Sequence, residues 1–284
     1  MQDISLTTSH HKIAGLRLGK SEASIKVLAL HGWLDNAASF LPLSEYLEDI
    51  ELVAIDLPGH GLSEHRSADA NYHLVDWVQD VYAVLEALDW SQCHILGHSL
   101  GGIIGSLFSA SFPERVQSLM TIEAFGSLTK DVETSAEQIR ESVLSRIAID
   151  RKPARHPKDR QQAVAARAQA GDLARSSAEL LVDRNLQETD GEFRWRSDRR
   201  LRTISSLRMT EPQAEAFLSS IQCPVVCITG TRGFEKVKRN LERRRMLLTS
   251  LQHEECEGGH HLHMDNPSAV AAVLKCFLTQ NSGR

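Results

Sequence analysis

Short apolar runs dominate the first half of the chain, and each one is separated from the next by polar or helix-like sequence. An edge hairpin is predicted over residues 4–18, and four nearly continuous apolar runs follow it, at 27–30, 52–55, 94–96 and 118–122. Runs of this kind are typical of strands buried on both faces of a parallel sheet. The pattern therefore predicts an α/β fold.

Helical spacing appears between and after these runs. Apolar residues recur every three or four positions from Leu74 to Leu88, which predicts an amphipathic crossover helix. Further along, 224–228 has the composition of another buried strand. A basic helix is predicted over 236–246, and a closing helix over 266–278 has a proline near its N-terminus.

The strand–helix rhythm fails from about residue 129 to about residue 211. That stretch carries 17 Lys+Arg and 14 Asp+Glu, a net charge of +3, whereas the rest carries 15 and 23, a net charge of −8. A shift of this size indicates an inserted unit. We predict a core formed by 1–126 and 212–284, and a helical cap formed by 127–211.

Composition narrows the class of protein. The 284 residues have a net charge of −5 and are 42% hydrophobic, which excludes an overall polyanion-binding surface and argues against a nucleic-acid partner. No apolar run approaches the roughly 18 residues of a membrane span, and the N-terminal residues lack the layout of a secretory signal. Five scattered cysteines do not suggest a disulfide framework. We expect a cytoplasmic protein.

Candidate chemistry is concentrated in Gly97-His98-Ser99-Leu100-Gly101, which lies between a buried strand and helix-compatible sequence. This is the setting of a nucleophile elbow, where Gly97 and Gly101 leave room for a sharp turn. The turn would expose the Ser99 hydroxyl and place the Leu100 amide at a helix N-terminus, where it can stabilise an oxyanion. The alternative is an ordinary turn with a solvent-facing serine.

With this motif the sequence resembles the α/β-hydrolase family, and the resemblance covers nearly the whole chain. Three further segments are similar to family motifs, namely His31-Gly32-Trp33, Asp56-Leu57-Pro58-Gly59-His60-Gly61 and the loop 258–267. The resemblance implies a mostly parallel central sheet flanked by helices, with a helical cap inserted after the sixth strand. It also implies that Trp33 supplies the second oxyanion amide, and that Asp56 and His60 have structural roles.

The loop 258–267 carries the candidate base. In the family pattern the histidine directly after the glycine pair is the base, which implies that His260 has this role. His261, His263 and Asp265 lie beside it, and imidazoles with a carboxylate are also the usual ligands of zinc. A metal site therefore stays open as the alternative, although no cysteine stands at ligand spacing. We expect neither a metal nor a cofactor.

The acid of a catalytic triad is ambiguous. The common family position falls in Gly230-Thr231-Arg232-Gly233, where this chain has glycine. Some members place the carboxylate one strand earlier, where Glu123 directly follows a buried run. A buried carboxylate needs a hydrogen-bonded partner, which an imidazolium would provide. Glu235 is the alternative acid, and Asp265 ranks below both.

The resemblance also bears on the reaction. Relatives that hydrolyse haloalkanes or epoxides attack with an aspartate, whereas position 99 is serine. We therefore expect hydrolysis of a small-molecule carboxylic ester through an acyl-enzyme. Alternatives are hydrolysis of a thioester or a C–C bond by the same triad, and a non-catalytic scaffold. In the cap, which resembles that of a serine hydrolase-like subgroup, three arginines either contact an anionic substrate or form surface ion pairs: Arg184, Arg194 and Arg196.

Overall fold

The computed structural model describes residues 1–281. Its ten strands are β1 (Gln2–Thr7), β2 (Lys12–Gly19), β3 (Lys26–Leu30), β4 (Glu51–Ile55), β5 (Cys93–His98), β6 (Val116–Ile122), β7 (Leu186–Thr189), β8 (Glu192–Trp195), β9 (Val225–Gly230) and β10 (Leu251–Cys256). Eight of them form one sheet in the order β1-β2-β4-β3-β5-β6-β9-β10, and β7 pairs with β8 separately. Neighbouring strands from β4 to β10 in the large sheet are parallel, whereas β1 and β2 are antiparallel to their neighbours.

The central strands form because their sequences suit burial on both faces. Every residue of β4, β5 and β9 is buried, as the nearly continuous apolar runs predict. The prediction of an α/β fold with a mostly parallel central sheet is confirmed. The sequence pattern does not predict β10, because this edge strand carries His253, Glu254 and Glu255 and only Cys256 is buried.

Ten helices accompany the strands: α1 (Leu41–Ser44), α2 (Asp76–Ala87), α3 (Leu100–Ser111), α4 (Ser135–Arg151), α5 (Arg160–Gly171), α6 (Arg175–Asn185), α7 (Glu211–Ser219), α8 (Glu235–Arg244), α9 (Leu262–Asp265) and α10 (Pro267–Asn281). Apolar side chains of α2 and α3, such as Trp77 and Phe108, belong to one buried layer. The second layer includes Leu43 of α1 and Phe277 of α10. Helices therefore cover both faces of the sheet. No helix in the described part of the chain is long and apolar enough to cross a membrane.

Between β6 and β9 the chain leaves the sheet and forms α4, α5, α6 and the β7–β8 hairpin. We call residues 127–211 the insert. It contacts residues that follow the carboxyl ends of several parallel strands: the Trp33 indole donates to the Leu201 carbonyl at 2.9 Å, and Arg184 pairs with buried Asp56 at 2.9 Å. The division into core and cap stays a prediction, but these contacts put the insert at the edge of the sheet where the candidate site lies.

Candidate active site

Ser99 lies at a sharp turn between the end of β5 and the start of α3. Its backbone has φ 49° and ψ −112°, a conformation that non-glycine residues rarely adopt. The two flanking glycines are required by space, because a Cβ on Gly97 would lie 2.5 Å from the carbonyl carbon of Gly101, and a Cβ on Gly101 would lie 2.8 Å from the Leu30 side chain. The local geometry is that expected for a nucleophile elbow.

Two backbone amides beside this turn have no acceptor among the described residues. Leu100 is the first residue of α3, so its N–H has no partner within the helix. Trp33 follows β3, and its amide also donates to no described group. The two loops are adjacent, since a Cβ on Gly32 would lie 2.8 Å from Nδ1 of His98.

Glu123 directly follows β6, and its carboxylate accepts three hydrogen bonds. The amides of Gly230 and Phe234 each donate to it at 2.8 Å, and Nδ1 of His260 lies 3.2 Å from Oε2. Its backbone has φ 51°, in the left-handed region. Burial acts to raise the pKa of Glu123, but the hydrogen bonds from His260 and the two amides outweigh it and leave the pKa below its usual value. Glu123 is therefore a buried carboxylate that stays ionised.

Gly233 has no side chain because Glu123 fills the space. A Cβ built at Gly233 would lie 2.5 Å from Cδ and 2.7 Å from Oε2 of Glu123. This chain thus has glycine at the family's common acid position, and the carboxylate of Glu123, which follows the neighbouring strand, occupies the space beside it.

His260 lies on the loop between β10 and α9 and is held on three sides. Its Nδ1 faces Glu123, its ring stacks on Phe234 with a centroid distance of 3.8 Å, and its carbonyl accepts a hydrogen bond of 2.9 Å from Nε2 of His98. Burial lowers the pKa of His260 although Glu123 opposes that shift, so the imidazole is neutral at pH 7. A neutral ring whose Nδ1–H points at a carboxylate leaves Nε2 free to accept a proton.

The Ser99 hydroxyl has no hydrogen-bond partner among residues 1–281. Ser99 nevertheless directly follows His98, whose ring donates to the His260 backbone and lies 4.8 Å from the His260 ring. In the absence of substrate, catalytic hydrogen bonds are often long or unformed. The elbow at Ser99 and the Glu123–His260 pair thus lie on neighbouring loops at one edge of the sheet.

The two other candidate acids lie elsewhere. Glu235, the first residue of α8, is 70% exposed and lies 3.8 Å from Arg239 on the same helix. Asp265 accepts a hydrogen bond of 2.6 Å from the Ser177 hydroxyl and one of 3.2 Å from the Ala174 amide, so it joins α9 to α6. Neither carboxylate contacts His260.

A buried polar cluster lies behind the candidate triad. Ligand-type atoms of Asp35, His98 and His261 all lie within 4.8 Å of one another, a grouping of the kind that can hold a metal ion. The positive charge beside Asp35 is the guanidinium of Arg167, which pairs with that carboxylate and lies 3.2 Å from Nε2 of His261. Burial acts to raise the pKa of Asp35, yet interactions with His261 and His98 and the charge of Arg167 hold it well below its usual range.

His263 is buried with neither ring nitrogen hydrogen-bonded to a described residue. Its ring lies 4.2 Å from that of His98 and 5.7 Å from that of Phe40. Burial is the main reason why the pKa of His263 lies well below its ordinary value. His263 is therefore packed inside as a neutral ring against His98.

Asp56 and His60 occupy the turn after β4. Asp56 accepts from the amides of Ala37 and Leu62 at 2.8 and 2.9 Å, and Nδ1 of His60 lies 3.3 Å from the Pro58 carbonyl. Their position in turn hydrogen bonding agrees with the structural role that the resemblance implies.

The arginines of the insert differ in their surroundings. Arg184 donates through Nε to both oxygens of Asp56, and Arg194 pairs with Glu192 on the exposed hairpin. The side chain of Arg196 has no ion-pair partner among the described residues. Arg184 and Arg194 thus already have carboxylate partners within the chain.

Sequence reasoning did not identify the roles of Asp35, His98 and Arg167. Asp35 and Arg167 are separated by 132 positions, and Arg167 belongs to a polar helix with ordinary charge composition. No local motif indicates such a pair, and although His98 stands inside the elbow motif, its hydrogen bond to the His260 carbonyl joins segments that are far apart in sequence.

Comparison with known proteins gives a consistent result. The family model of the alpha/beta hydrolase fold matches residues 26–267. A serine hydrolase-like protein of Dictyostelium discoideum is 35% identical over 94% of this chain and 78% of its own length, and one of Danio rerio is 32% identical over 90% and 82%. The crystal structure of a hypothetical protein from Pseudomonas aeruginosa PAO1 has a TM-score of 0.91 at 33% identity, and the match covers 98% of this chain and 100% of that one.

Proposed function

The chain belongs to the α/β-hydrolase family, and from the geometry around Ser99 we propose that it is a serine hydrolase that cleaves a carboxylic ester of a small or medium substrate through an acyl-enzyme. The observation that carries the proposal is the Glu123–His260 hydrogen bond of 3.2 Å, which lies next to the strained elbow at Ser99. Similarity to serine hydrolase-like proteins supports a hydrolase.

In the first half-reaction, Nε2 of His260 takes the proton of the Ser99 hydroxyl while Oγ bonds to the ester carbonyl carbon. The amides of Trp33 and Leu100 stabilise the negative oxygen of the tetrahedral intermediate. His260 then gives its proton to the departing alcohol, and the C–O bond of the ester breaks. Glu123 stays ionised throughout and stabilises the imidazolium.

In the second half-reaction, water replaces the alcohol. His260 takes a proton from the water as its oxygen bonds to the acyl carbon, and the same amides stabilise the second intermediate. Release of Ser99, reprotonated by His260, frees the carboxylic acid. The Ser99 proton leaves with the alcohol and a proton from water replaces it, so Ser99 and His260 end in their starting protonation states and one water is consumed.

The insert is part of this proposal as the wall of the substrate site. Its contacts with Trp33 and with the α9 region support this role, because they border the groups that would act on the ester.

The test is labelling with a fluorophosphonate, followed by mass-spectrometric mapping of the modified residue. We expect one modified residue, Ser99, and no labelling of Ser99→Ala. The matched control is Ser219→Ala, which changes an exposed serine on α7 and should label normally. With p-nitrophenyl acetate, Ser99→Ala should lose about 10⁴-fold or more in kcat. Modification of another residue, or retention of a tenth of the wild-type kcat, would refute the assignment.

A further inference from the structure

Helix α4 of the insert buries polar residues and exposes most of its apolar ones. The side that faces the protein is polar: Gln138 and Ser142 are buried, and Oε1 of Gln138 accepts from the Arg208 amide at 2.9 Å. Ser142 and Ser206 are joined through their hydroxyls at 3.1 Å, and the Ser145 hydroxyl accepts from the Ile204 amide at 3.0 Å. Hydrogen bonds, and not apolar packing, therefore fix α4 on the segment 204–208.

The opposite side of α4 carries four apolar side chains that face solvent, with the exposed Arg140 among them. Its side chains stand at helical spacing and share one face, and the neighbouring segment adds two more. Between 40% and 59% of each residue is exposed. The six residues are Ile139, Val143, Leu144, Ile147, Ile204 and Leu207. We call this set the α4 face.

The α4 face contains a large share of the exposed apolar residues of the protein. Fourteen large hydrophobic residues are exposed in the described part of the chain, and six of them belong to this one face. Scattered exposed apolar residues need no explanation, but a contiguous set surrounded by polar residues marks an interaction surface. A specific interface takes roughly 800 Å² from each partner and has an apolar centre with a polar rim. The six residues of the α4 face can supply the apolar part of such an interface.

The charges along α4 indicate what the partner is. Glu133 and Glu137 lie at the N-terminal end, whereas Arg151, Lys152 and Arg155 lie at the C-terminal end. All five are exposed, and none forms an ion pair with a described residue. An antiparallel second copy would set each acidic end beside a basic end, which parallel packing or an anionic lipid surface would not allow.

We propose that the α4 face is the interface of a homodimer in which two copies of α4 pack antiparallel across a twofold axis. An axis that passes near Leu144 sets Glu137 of one copy opposite Arg151 of the other, with the side chains of Val143 and Leu144 at the centre. The interface is self-complementary in both apolar surface and charge. It does not depend on the activity proposed for Ser99.

Sedimentation velocity over a concentration series in the micromolar range tests the interface. We expect a dimer for the wild-type chain and a monomer for Val143→Glu, since each dimer would bury two unpaired carboxylates. The matched control is Met246→Glu, which puts the same charge on a more exposed apolar residue outside α4 and should stay dimeric. Circular dichroism and the Tm establish that both variants are folded.

Charge exchange tests the antiparallel arrangement. Glu137→Arg should raise the dimer Kd about 10-fold, and Glu137→Arg with Arg151→Glu should restore most of that loss, because the pairing is recreated with reversed sign. A wild-type chain that stays monomeric at every concentration would overturn the proposal, and so would a Val143→Glu dimer. Binding of a monomeric wild type to phosphatidylcholine–phosphatidylglycerol vesicles would assign the face to a membrane surface instead.

Discussion

The carboxylate of Glu123 occupies the volume that a side chain on Gly233 would need, since a Cβ at position 233 would lie 2.5 Å from Cδ of Glu123. The two residues follow neighbouring parallel strands, β6 and β9. A carboxylate can therefore reach His260 from one strand or from the other, but the site has room for only one of them.

The first prediction concerns the acid itself. Glu123→Gln keeps the size of the side chain but removes the negative charge that stabilises the imidazolium, so we expect kcat to fall by about 10⁴-fold. Glu235→Gln makes the same change on an exposed residue and should leave kcat unchanged. Steady-state hydrolysis of p-nitrophenyl acetate measures both. A severe loss in Glu235→Gln with a mild one in Glu123→Gln would transfer the role to Glu235.

The second prediction follows from the shared volume. Gly233→Asp alone should disturb the site, because the new side chain overlaps the Glu123 carboxylate. In the Glu123→Ala background that volume is free, and the aspartate should restore part of the kcat that Glu123→Ala loses. Glu123→Ala with Gly233→Ala is the control that adds bulk without charge. Equal kcat values for the aspartate and alanine double variants would contradict the idea.

The third prediction is the pH profile. Burial lowers the pKa of His260 below its ordinary value of 6.5, and the hydrogen bond to Glu123 opposes part of that shift. Because the neutral ring is the proton acceptor, kcat/KM should be constant through neutral pH and fall only when the pH drops below 6.5. Glu123→Gln removes a contribution that raises the pKa, so its acid limb should move to lower pH. A shift to higher pH would contradict this relationship.

The fourth prediction separates the neighbouring histidines. His260→Ala should lose about as much kcat as Ser99→Ala, because both remove a member of the same catalytic unit. His261→Ala and His263→Ala should lose far less kcat, although His263→Ala should lower the Tm because it empties a buried position. Chelation with EDTA should leave kcat unchanged. A fully inactive His263→Ala that keeps its fold, or loss of activity on chelation, would indicate a metal site at this loop.

The fifth prediction concerns stability. Asp35 is buried and pairs with Arg167 of the insert, so Asp35→Ala would leave a partly buried guanidinium without its partner. Such a loss destabilises by about 3–5 kcal/mol. Urea unfolding should show this drop in the free energy of unfolding, and Asp35→Ala with Arg167→Met should recover a large part of it. If the double variant is as unstable as the sum of the two single variants, the pair does not act as a unit.

Local sequence patterns predict much of the fold because the central strands are buried on both faces and so carry continuous apolar runs. The elbow at Ser99 is predictable because its motif is continuous in the sequence, although the space that requires Gly101 is set by Leu30, which lies far away along the chain. The edge strand β10 was missed because one of its faces is exposed and its sequence is polar.

The Asp35–Arg167 pair depends on a contact between segments far apart in sequence. The same is true of the reason why position 233 is glycine. Glu123 could be named from its place at the end of an apolar run. The Glu123 carboxylate leaves no room for a side chain at position 233. This contact depends on the register of β6 and β9, which no local sequence pattern shows. The reversed polarity of α4 was equally inaccessible, because a helical spacing of apolar residues does not say which face is inside.

The insert is attached to the rest of the protein at several separate points, including Arg184 on Asp56, Arg167 on Asp35 and Ser177 on Asp265. A hinged opening would break these contacts together and expose two carboxylates that are otherwise buried. We therefore expect the insert to keep one position relative to the sheet during turnover. Substrates would then be selected by the fixed shape of the site. Opening of the insert would not limit the rate of turnover.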